Sequence, residues 1–153
     1  MLCVNSYQQD YIDACRARME TQIAAYRALA KAARAKTAAP ALRTAADRFE
    51  PLFFNNLVVV LDALFMHRSH TLELKDGNPL NEVRMLCASI LEHGAVLTAD
   101  KAIKFKPERS VLKLTIGDAI NLSEADFGRL CEAFFAEIGA KFTASPARRA
   151  AAE

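Results

Sequence analysis

The chain has 153 residues, of which 52% are hydrophobic and 25% are charged, so the composition excludes global disorder and predicts one folded domain. The formal net charge of +2 excludes a strong general attraction to nucleic acid or to anionic membranes. Only five glycines and five prolines occur, which favours long helices over a sheet of many strands.

The N-terminus and the most apolar stretch of the sequence predict a cytoplasmic protein that makes no membrane contact. Residues 1–5 lack the basic start and the apolar run of a signal peptide. Residues 52–66 are interrupted by Asn55, Asn56 and Asp62, and they are fewer than the about 20 residues that span a bilayer.

The cysteines indicate a reducing compartment. Cys15, Cys87 and Cys131 fall on apolar helical positions, where we predict small buried side chains rather than disulfides. Abundant alanine, together with an excess of arginine over lysine, indicates a bacterial source.

Two long helices are predicted in the first half of the chain. Ser6 and Gln9 have the spacing of a capping box, so a helix is expected from there to about residue 36. A second helix is expected from Pro40, and its apolar spacing continues through Pro51. Either this helix kinks at Pro51 or a new helix begins there. The stripe of the first helix that we expect to be buried consists of Ile12, Cys15, Met19, Ile23, Tyr26 and Ala30.

One carboxylate interrupts the apolar stretch of the second helix. Asp62 lies there, and a buried carboxylate without a partner is costly. We predict that Asp62 either pairs with Arg84 on the next helix or lies with Asn55 and Ser69 on a narrow strip facing solvent. Neither arrangement requires catalysis.

Standard helix signals predict where the next helix begins and ends. Asn78 followed by Pro79 has the pattern of an N-cap and a first helical residue. His93 and Gly94 end this helix, and Gly94 is suited to a left-handed C-terminal cap.

Residues 95–121 differ in pattern from the rest and predict a small antiparallel β-meander. Apolar and polar residues alternate there, and the dipeptide at 117–118 is a turn signal. A three-residue loop at this turn pairs Ile116 with Ile120, which keeps the apolar residues on one face.

The last helix is expected to follow the cap residue Ser123, and residues 144–153 are expected to form a flexible tail. The fold class predicted is mainly α: a four- to five-helix bundle with the meander inserted before the C-terminal helix. Residues 1–153 are expected to form one domain, ordered from about residue 6 to residue 143.

Polar and charged side chains are densest between the second helix and the helix after Asn78. Titratable groups that rigid elements hold near a helix start are typical of a binding or catalytic site. The candidate polar site consists of His67, Arg68, His70, Glu73, Asp76, Asn78, Asn81 and Arg84.

Two sharper interpretations of this window remain open. His67 and His70 share a helical face, and with Glu73 one turn further they are weak candidates for a metal site. A histidine beside Arg68 or Arg84 is also a candidate general base for hydrolysis. Helical nucleases with an Arg and a His about four to six residues apart are disfavoured, because no pair here has that spacing.

No nucleophile motif, phosphate-binding loop or dinucleotide motif is present, so we expect no cofactor and favour a non-catalytic protein. The leading hypothesis is a regulatory or accessory role through protein–protein contacts with an unknown partner. A homodimer is expected to cover the stripe of the first helix. A small enzyme or ligand-binding domain with its site at residues 67–84 is the alternative. Nucleic-acid binding by the basic face of residues 27–48 is a weaker one.

Overall fold

The computed structural model describes residues 3–143, and their fold is mainly helical, as predicted. These residues also include a short 3-10 turn, Pro107–Arg109. The tail predicted at residues 144–153 lies outside the described residues. The helices are α1 (Gln9–Ala33), α2 (Pro40–Leu64), α3 (His70–Glu73), α4 (Pro79–Glu92) and α5 (Glu124–Phe142).

Helix α2 lies at the centre of the bundle, where it packs against α1, α4 and α5. The apolar stripe of α1 packs within the chain, against α2 and α5, and all but Ile23 of the predicted residues are buried. The reason given above for a homodimer therefore does not hold, because the chain covers this stripe itself. Six phenylalanines fill the core: Phe54, Phe65, Phe127, Phe134, Phe135 and Phe142.

Several predicted helix ends are confirmed. Asn78 caps α4 and accepts hydrogen bonds from two backbone N–H groups of its first turn. Ser123 caps α5 in a full capping box with Asp126. Gly94 has a φ of +59°, which is the left-handed conformation expected after α4.

The predicted start of the first helix is wrong, and the two alternatives at Pro51 are resolved. Helix α1 begins at Gln9 with Gln8 in the N-cap position, so Ser6 lies outside the helix; Tyr7 between them forms a bridge with Thr143, and its N–H donates to the carbonyl of Phe142 at 2.7 Å. Helix α2 continues through Pro51, so no new helix begins there.

The predicted β-meander does not form. Between residues 3 and 143 there is no β-strand, and residues 95–122 contain a single antiparallel bridge, between Val96 and Ala119. Ile116, expected to pair with Ile120 on an inner face, is 48% exposed. We call residues 95–122 the clamped segment, because side chains of two helices bind its backbone.

The first clamp comes from α4. The carboxylate of Glu82, which is 4% exposed, accepts hydrogen bonds from the backbone N–H groups of Val111 (2.7 Å) and Leu112 (3.0 Å). Two consecutive N–H groups directed at one carboxylate cannot join an antiparallel ladder, whose donors alternate between the two edges of a strand. Lys113 follows with a φ of 59°, which ends any extended run.

The second clamp comes from the middle of α2. The side-chain amide of Asn55 donates to the carbonyl of Ile120 (2.6 Å) and accepts from the N–H of Leu122 (3.1 Å). Asn55 thus takes the place of a neighbouring strand. Ile103, Ile120 and Leu122 still reach the core, so the alternation marks buried side chains without a sheet.

Two of the three cysteines that were predicted to be buried are buried. Cys15 and Cys131 are buried, Cys87 is only half-buried, Cys3 is exposed, and all four thiols are free. Burial raises the pKa of the Cys131 thiol to about 12. In the part of the chain that the structure describes, no helix is both long and apolar enough to cross a bilayer.

Candidate functional site

The connection between α2 and α4 folds into a corner that the N-terminal residues hold in place. The N–H of Val4 donates to the carbonyl of His67 (2.8 Å), and the N–H of Ser69 donates to the carbonyl of Val4 (2.9 Å). We call residues 62–84 the junction. Its polar side chains are brought together by α2, α3 and the first turns of α4.

Glu73 is the centre of the junction and is only 1% exposed. Arg84 holds both of its oxygens, with Nε 3.1 Å from Oε1 and Nη2 2.5 Å from Oε2. Nη2 of Arg68 and the side-chain amide of Asn81 each lie 3.4 Å from Oε1. A buried carboxylate is tolerated because charged and polar donors surround it.

Arg68 links this carboxylate to Asp62, and its side chain is 1% exposed. Nη2 lies 3.0 Å from Oδ1 of Asp62, and Nη1 donates to the carbonyl of Phe65 (3.0 Å). The guanidinium carbon lies 5.4 Å from the centre of the Phe134 ring. Nε of Arg68 has no hydrogen-bond partner among residues 3–143.

Both predicted arrangements of Asp62 need correction. Asp62 pairs with Arg68 rather than with Arg84, because Arg68 follows closely after the end of α2 and its side chain turns back into the bundle. The alternative strip facing solvent is also wrong, since Asn55 and Ser69 are 8% and 6% exposed.

The junction therefore contains a chain of alternating charges that runs from Asp62 through Arg68 and Glu73 to Arg84. Burial alone would raise the pKa of the Glu73 carboxyl, but hydrogen bonds from Arg84 and the charge of Arg68 outweigh burial and lower its pKa. Glu73 is thus ionised near neutral pH, and Arg84 has a fixed partner.

The backbone is strained on both sides of α3. His67 has a φ of 62°, and Leu74 has a φ of 65° with a ψ of −178°. The second conformation is one that glycine adopts almost exclusively, and it costs another residue about 1–3 kcal/mol. Hydrogen bonds hold Leu74 in it: its N–H donates to the carbonyl of His70, and its carbonyl accepts from Asn81.

The amide-rich part of the junction builds the turn before α4. Asp76 accepts from the N–H and the side-chain amide of Asn78 (3.2 and 2.7 Å), and the side chain of Asn81 accepts from the N–H of Gly77 (3.0 Å). Gly77 is required there, because a Cβ would lie 2.6 Å from the carbonyl oxygen of Lys104. These side chains fix the turn before α4.

A cleft of about 320 Å³ opens over the junction, and we call it the junction cleft. Of the predicted site residues, Glu73, Asp76, Asn78 and Asn81 do not line it. Glu73 acts beneath the surface through Arg84. The residues that line the cleft include Cys3, Asp62, His67, Arg68, His70 and Arg84.

The weak metal candidates do not form a metal site. Both oxygens of Glu73 are hydrogen-bonded to Arg84, so this carboxylate is not available beside His67 and His70. Within residues 3–143, no three His, Cys, Asp or Glu side chains are grouped closely enough to hold a metal ion.

Some contributors to the site could not be found by reading the sequence. Nζ of Lys141, on α5, donates to the carbonyl of Glu73 (3.2 Å). Tyr7 packs against Phe65, and burial raises the pKa of its phenol to about 12. Lys141 and Tyr7 are far from the junction along the chain, and no local pattern marks them.

The basic face of residues 27–48 lies apart from the junction cleft, and two of its cations are already paired. Arg27 bonds to Glu124 at the start of α5, and Arg34 lies 3.7 Å from Asp47. Such pairs are typical of a solvated surface.

Comparisons with protein-family models, with curated proteins and with solved structures found no match for the chain.

Proposed function

We propose that the chain binds a small anionic molecule in the junction cleft and that Arg84 holds the anionic group. The observation that carries this proposal is how Arg84 is bonded. Its Nε and Nη2 donate to Glu73, while Nη1 makes neither of these bonds and the side chain is 34% exposed. One edge of the guanidinium is therefore fixed, and the rest can donate to an anion.

Because of Glu73, Arg84 should bind an anion more tightly than an ordinary surface arginine. A free arginine loses about 0.5–1.5 kcal/mol of side-chain entropy when a ligand immobilises it. The two-point contact with the buried carboxylate orders Arg84 before the ligand arrives. Part of the cost of binding is thereby met during folding.

Two histidines add groups to the cleft that can donate a hydrogen bond or transfer a proton. His67 and His70 are exposed and line the same cleft as Arg84. An imidazole can donate a hydrogen bond to an anion or transfer a proton to it, so the same arrangement can support hydrolysis. Asp62 also lines the cleft and repels anions, which favours a ligand that sits on the Arg84 side.

Histidine ring NMR signals provide a direct test, because the chain has only three histidines. Untagged protein is titrated with inorganic phosphate at constant pH and ionic strength, with chloride as the reference anion. We expect saturable shifts of the His67 and His70 signals. The Arg84→Lys variant keeps a cation beside Glu73 but loses the planar donor edge. Its affinity for phosphate, measured from the same signals, should therefore fall about tenfold.

An arginine outside the cleft supplies the matched control. Arg43→Gln removes an exposed cation near the start of α2 and should leave the phosphate titration unchanged. If the His67 and His70 signals of the wild-type chain do not respond to phosphate beyond the chloride reference, the proposed function is wrong.

A second candidate function, association with another copy of the chain, is favoured by an exposed apolar surface. Leu42, Phe49 and Leu52 are 43%, 40% and 64% exposed, and their spacing places them on one side of α2. Exposed apolar groups of this size are typical of interaction surfaces when they lie together. A role through protein–protein contacts would use this side of α2.

Light scattering after size exclusion tests this second candidate. A dimer through α2 should dissociate in Leu52→Glu and persist in the matched variant Leu91→Glu, whose leucine is 65% exposed on α4. A wild-type chain that stays monomeric at high concentration would rule out the dimer.

A further inference from the structure

A second cleft adjoins the first at Arg84. It has a volume of about 290 Å³, and its lining includes residues of α4 and of the turn that follows. Arg84 lines both clefts. The three histidines of the chain all lie along them, His67 and His70 in the junction cleft and His93 in the second cleft.

The second cleft also has cationic groups and a fixed wall. Lys101 and His93 line it, and the one acid there, Asp100, accepts a hydrogen bond from the N–H of Ala102 (2.8 Å). The wall is ordered by Ser89, whose hydroxyl oxygen accepts from the backbone N–H of residue 98 (3.0 Å) and donates to the helix. The accessible side chains of this cleft thus favour an anionic group.

We propose that the two clefts bind one elongated ligand with an anionic group at each end, and that Arg84 lies between these groups. This inference rests on the proposed function, because Arg84 must bind the first group. Lys101 and His93 hold the second group, while His67 and His70 face the first.

The sizes of the clefts favour one ligand over two. Small-molecule sites usually have volumes of about 300–1,000 Å³, and each cleft alone lies at the lower limit of that range. A ligand that reaches past Arg84 would occupy both volumes. Two anionic groups on one linker also bind more tightly than two separate anions, since the second contact becomes intramolecular.

Bisphosphates of increasing length are the probes that test this inference. Alkane chains with a phosphate at each end are titrated into untagged wild-type protein, and inorganic phosphate is the one-group reference. We expect one chain length to shift the signals of all three histidines together. Its affinity should exceed that of inorganic phosphate about tenfold, the value of one added charge-assisted hydrogen bond.

Two lysine variants locate the second group. In Lys101→Gln, the ratio of the bisphosphate affinity to the phosphate affinity should fall about tenfold. Lys106→Gln changes an exposed lysine that does not line either cleft, and this ratio should stay as in the wild type. Circular dichroism confirms that both variants are folded.

The outcomes separate this inference from the proposed function. If His67 and His70 respond to phosphate but no bisphosphate moves His93, the two-cleft ligand is wrong and the proposed function stands. If none of the histidines responds to any probe, both fail. Dicarboxylates of matched lengths form the second arm: tighter binding of a dicarboxylate than of the bisphosphate of the same length assigns carboxylate ends, and the reverse assigns phosphate ends.

Discussion

The junction and the clamped segment differ in how their buried polar side chains are hydrogen-bonded. Both depend on polar side chains that the helices carry into the protein interior. In the junction, Glu73 and Arg68 bond mainly to other charged side chains, whereas in the clamped segment Glu82 and Asn55 bond to backbone groups. In the network between side chains, Arg84 keeps donors that do not bond to Glu73, whereas the bonds of both clamps end on backbone groups.

The two buried glutamates differ in whether their partners can reach the surface. The carboxylate of Glu82 is satisfied by two N–H groups that cannot move without the chain around them. Glu73 is satisfied by Arg84, whose other edge reaches the surface. Two glutamates with similar burial therefore have different contacts: Glu82 holds a backbone segment, and Glu73 holds the side chain of Arg84 at the cleft.

The largest effect is expected when the junction loses its central charge. Glu73→Gln leaves Arg68 buried with Asp62 as its one remaining ionic partner. Removing one partner of a buried ion pair typically costs 3–5 kcal/mol, and we expect about 3 kcal/mol here. Urea unfolding followed by circular dichroism measures this loss.

Glu132→Gln is the matched control, because Glu132 is exposed on α5. Its free energy of unfolding should stay within about 0.5 kcal/mol of the wild type. If Glu73→Gln is equally mild, the ionic network of the junction contributes little to stability.

A smaller and more local effect is expected from the clamp. Glu82→Ala leaves the N–H groups of Val111 and Leu112 without their acceptor, which should cost about 2 kcal/mol. Glu82→Gln keeps one acceptor oxygen and should cost about half as much. Hydrogen exchange should show faster exchange of these two amides, with α4 unchanged.

The same measurement compares the clamp with the meander that the alternating pattern predicts. Amides that stay protected in Glu82→Ala would be bonded elsewhere, as they would be in a sheet. The hydrogen bonds from Val111 and Leu112 to Glu82 would then be wrong.

The sequence predicted the features that depend on neighbouring residues along the chain. The caps at Asn78 and Ser123 and most of the buried stripe of α1 follow from local signals. The partner of Asp62 was missed, because a helical pattern does not show how a side chain turns at the helix end. The role of Asn55 depends on a backbone 65 residues away, which no spacing rule reaches.

The site was predicted unevenly for the same reason. Charge density marks the junction, and four of its candidates line one cleft: His67, Arg68, His70 and Arg84. The sequence did not show that Glu73 lies beneath that cleft, since burial is a property of the packed fold. The sequence does not indicate the second cleft, because the alternating pattern assigns the turn that contains Lys101 to a sheet.

An effect of opposite sign is expected at the strained end of the junction. Leu74→Gly removes about 1–3 kcal/mol of backbone strain but adds chain entropy, so we expect about 1 kcal/mol of added stability. Leu91→Gly, at an exposed position in the last turn of α4, should lose about 0.5 kcal/mol, less than glycine costs in a helix interior. Equal destabilisation of the two variants in thermal unfolding would contradict the strain at Leu74.

The smallest effect is a difference in pH dependence between the two glutamates. Burial raises the pKa of Glu82 above its ordinary value of 4.5, because the two backbone hydrogen bonds do not offset it, whereas the pKa of Glu73 is lowered. Glu73 therefore contributes stability above pH 4.5 and loses it as the pH falls through its folded pKa. The contribution of Glu82 is greatest below pH 4.5 and declines as the pH rises through its folded pKa.

Urea unfolding of the wild type, Glu73→Gln and Glu82→Gln between about pH 3 and pH 7 measures these slopes. The stability lost in Glu73→Gln should grow with rising pH, and the stability lost in Glu82→Gln should shrink. One proton limits each slope to about 1.4 kcal/mol per pH unit. If both differences change in the same direction, the two carboxylates share one kind of environment, and the contrast between the junction and the clamped segment fails.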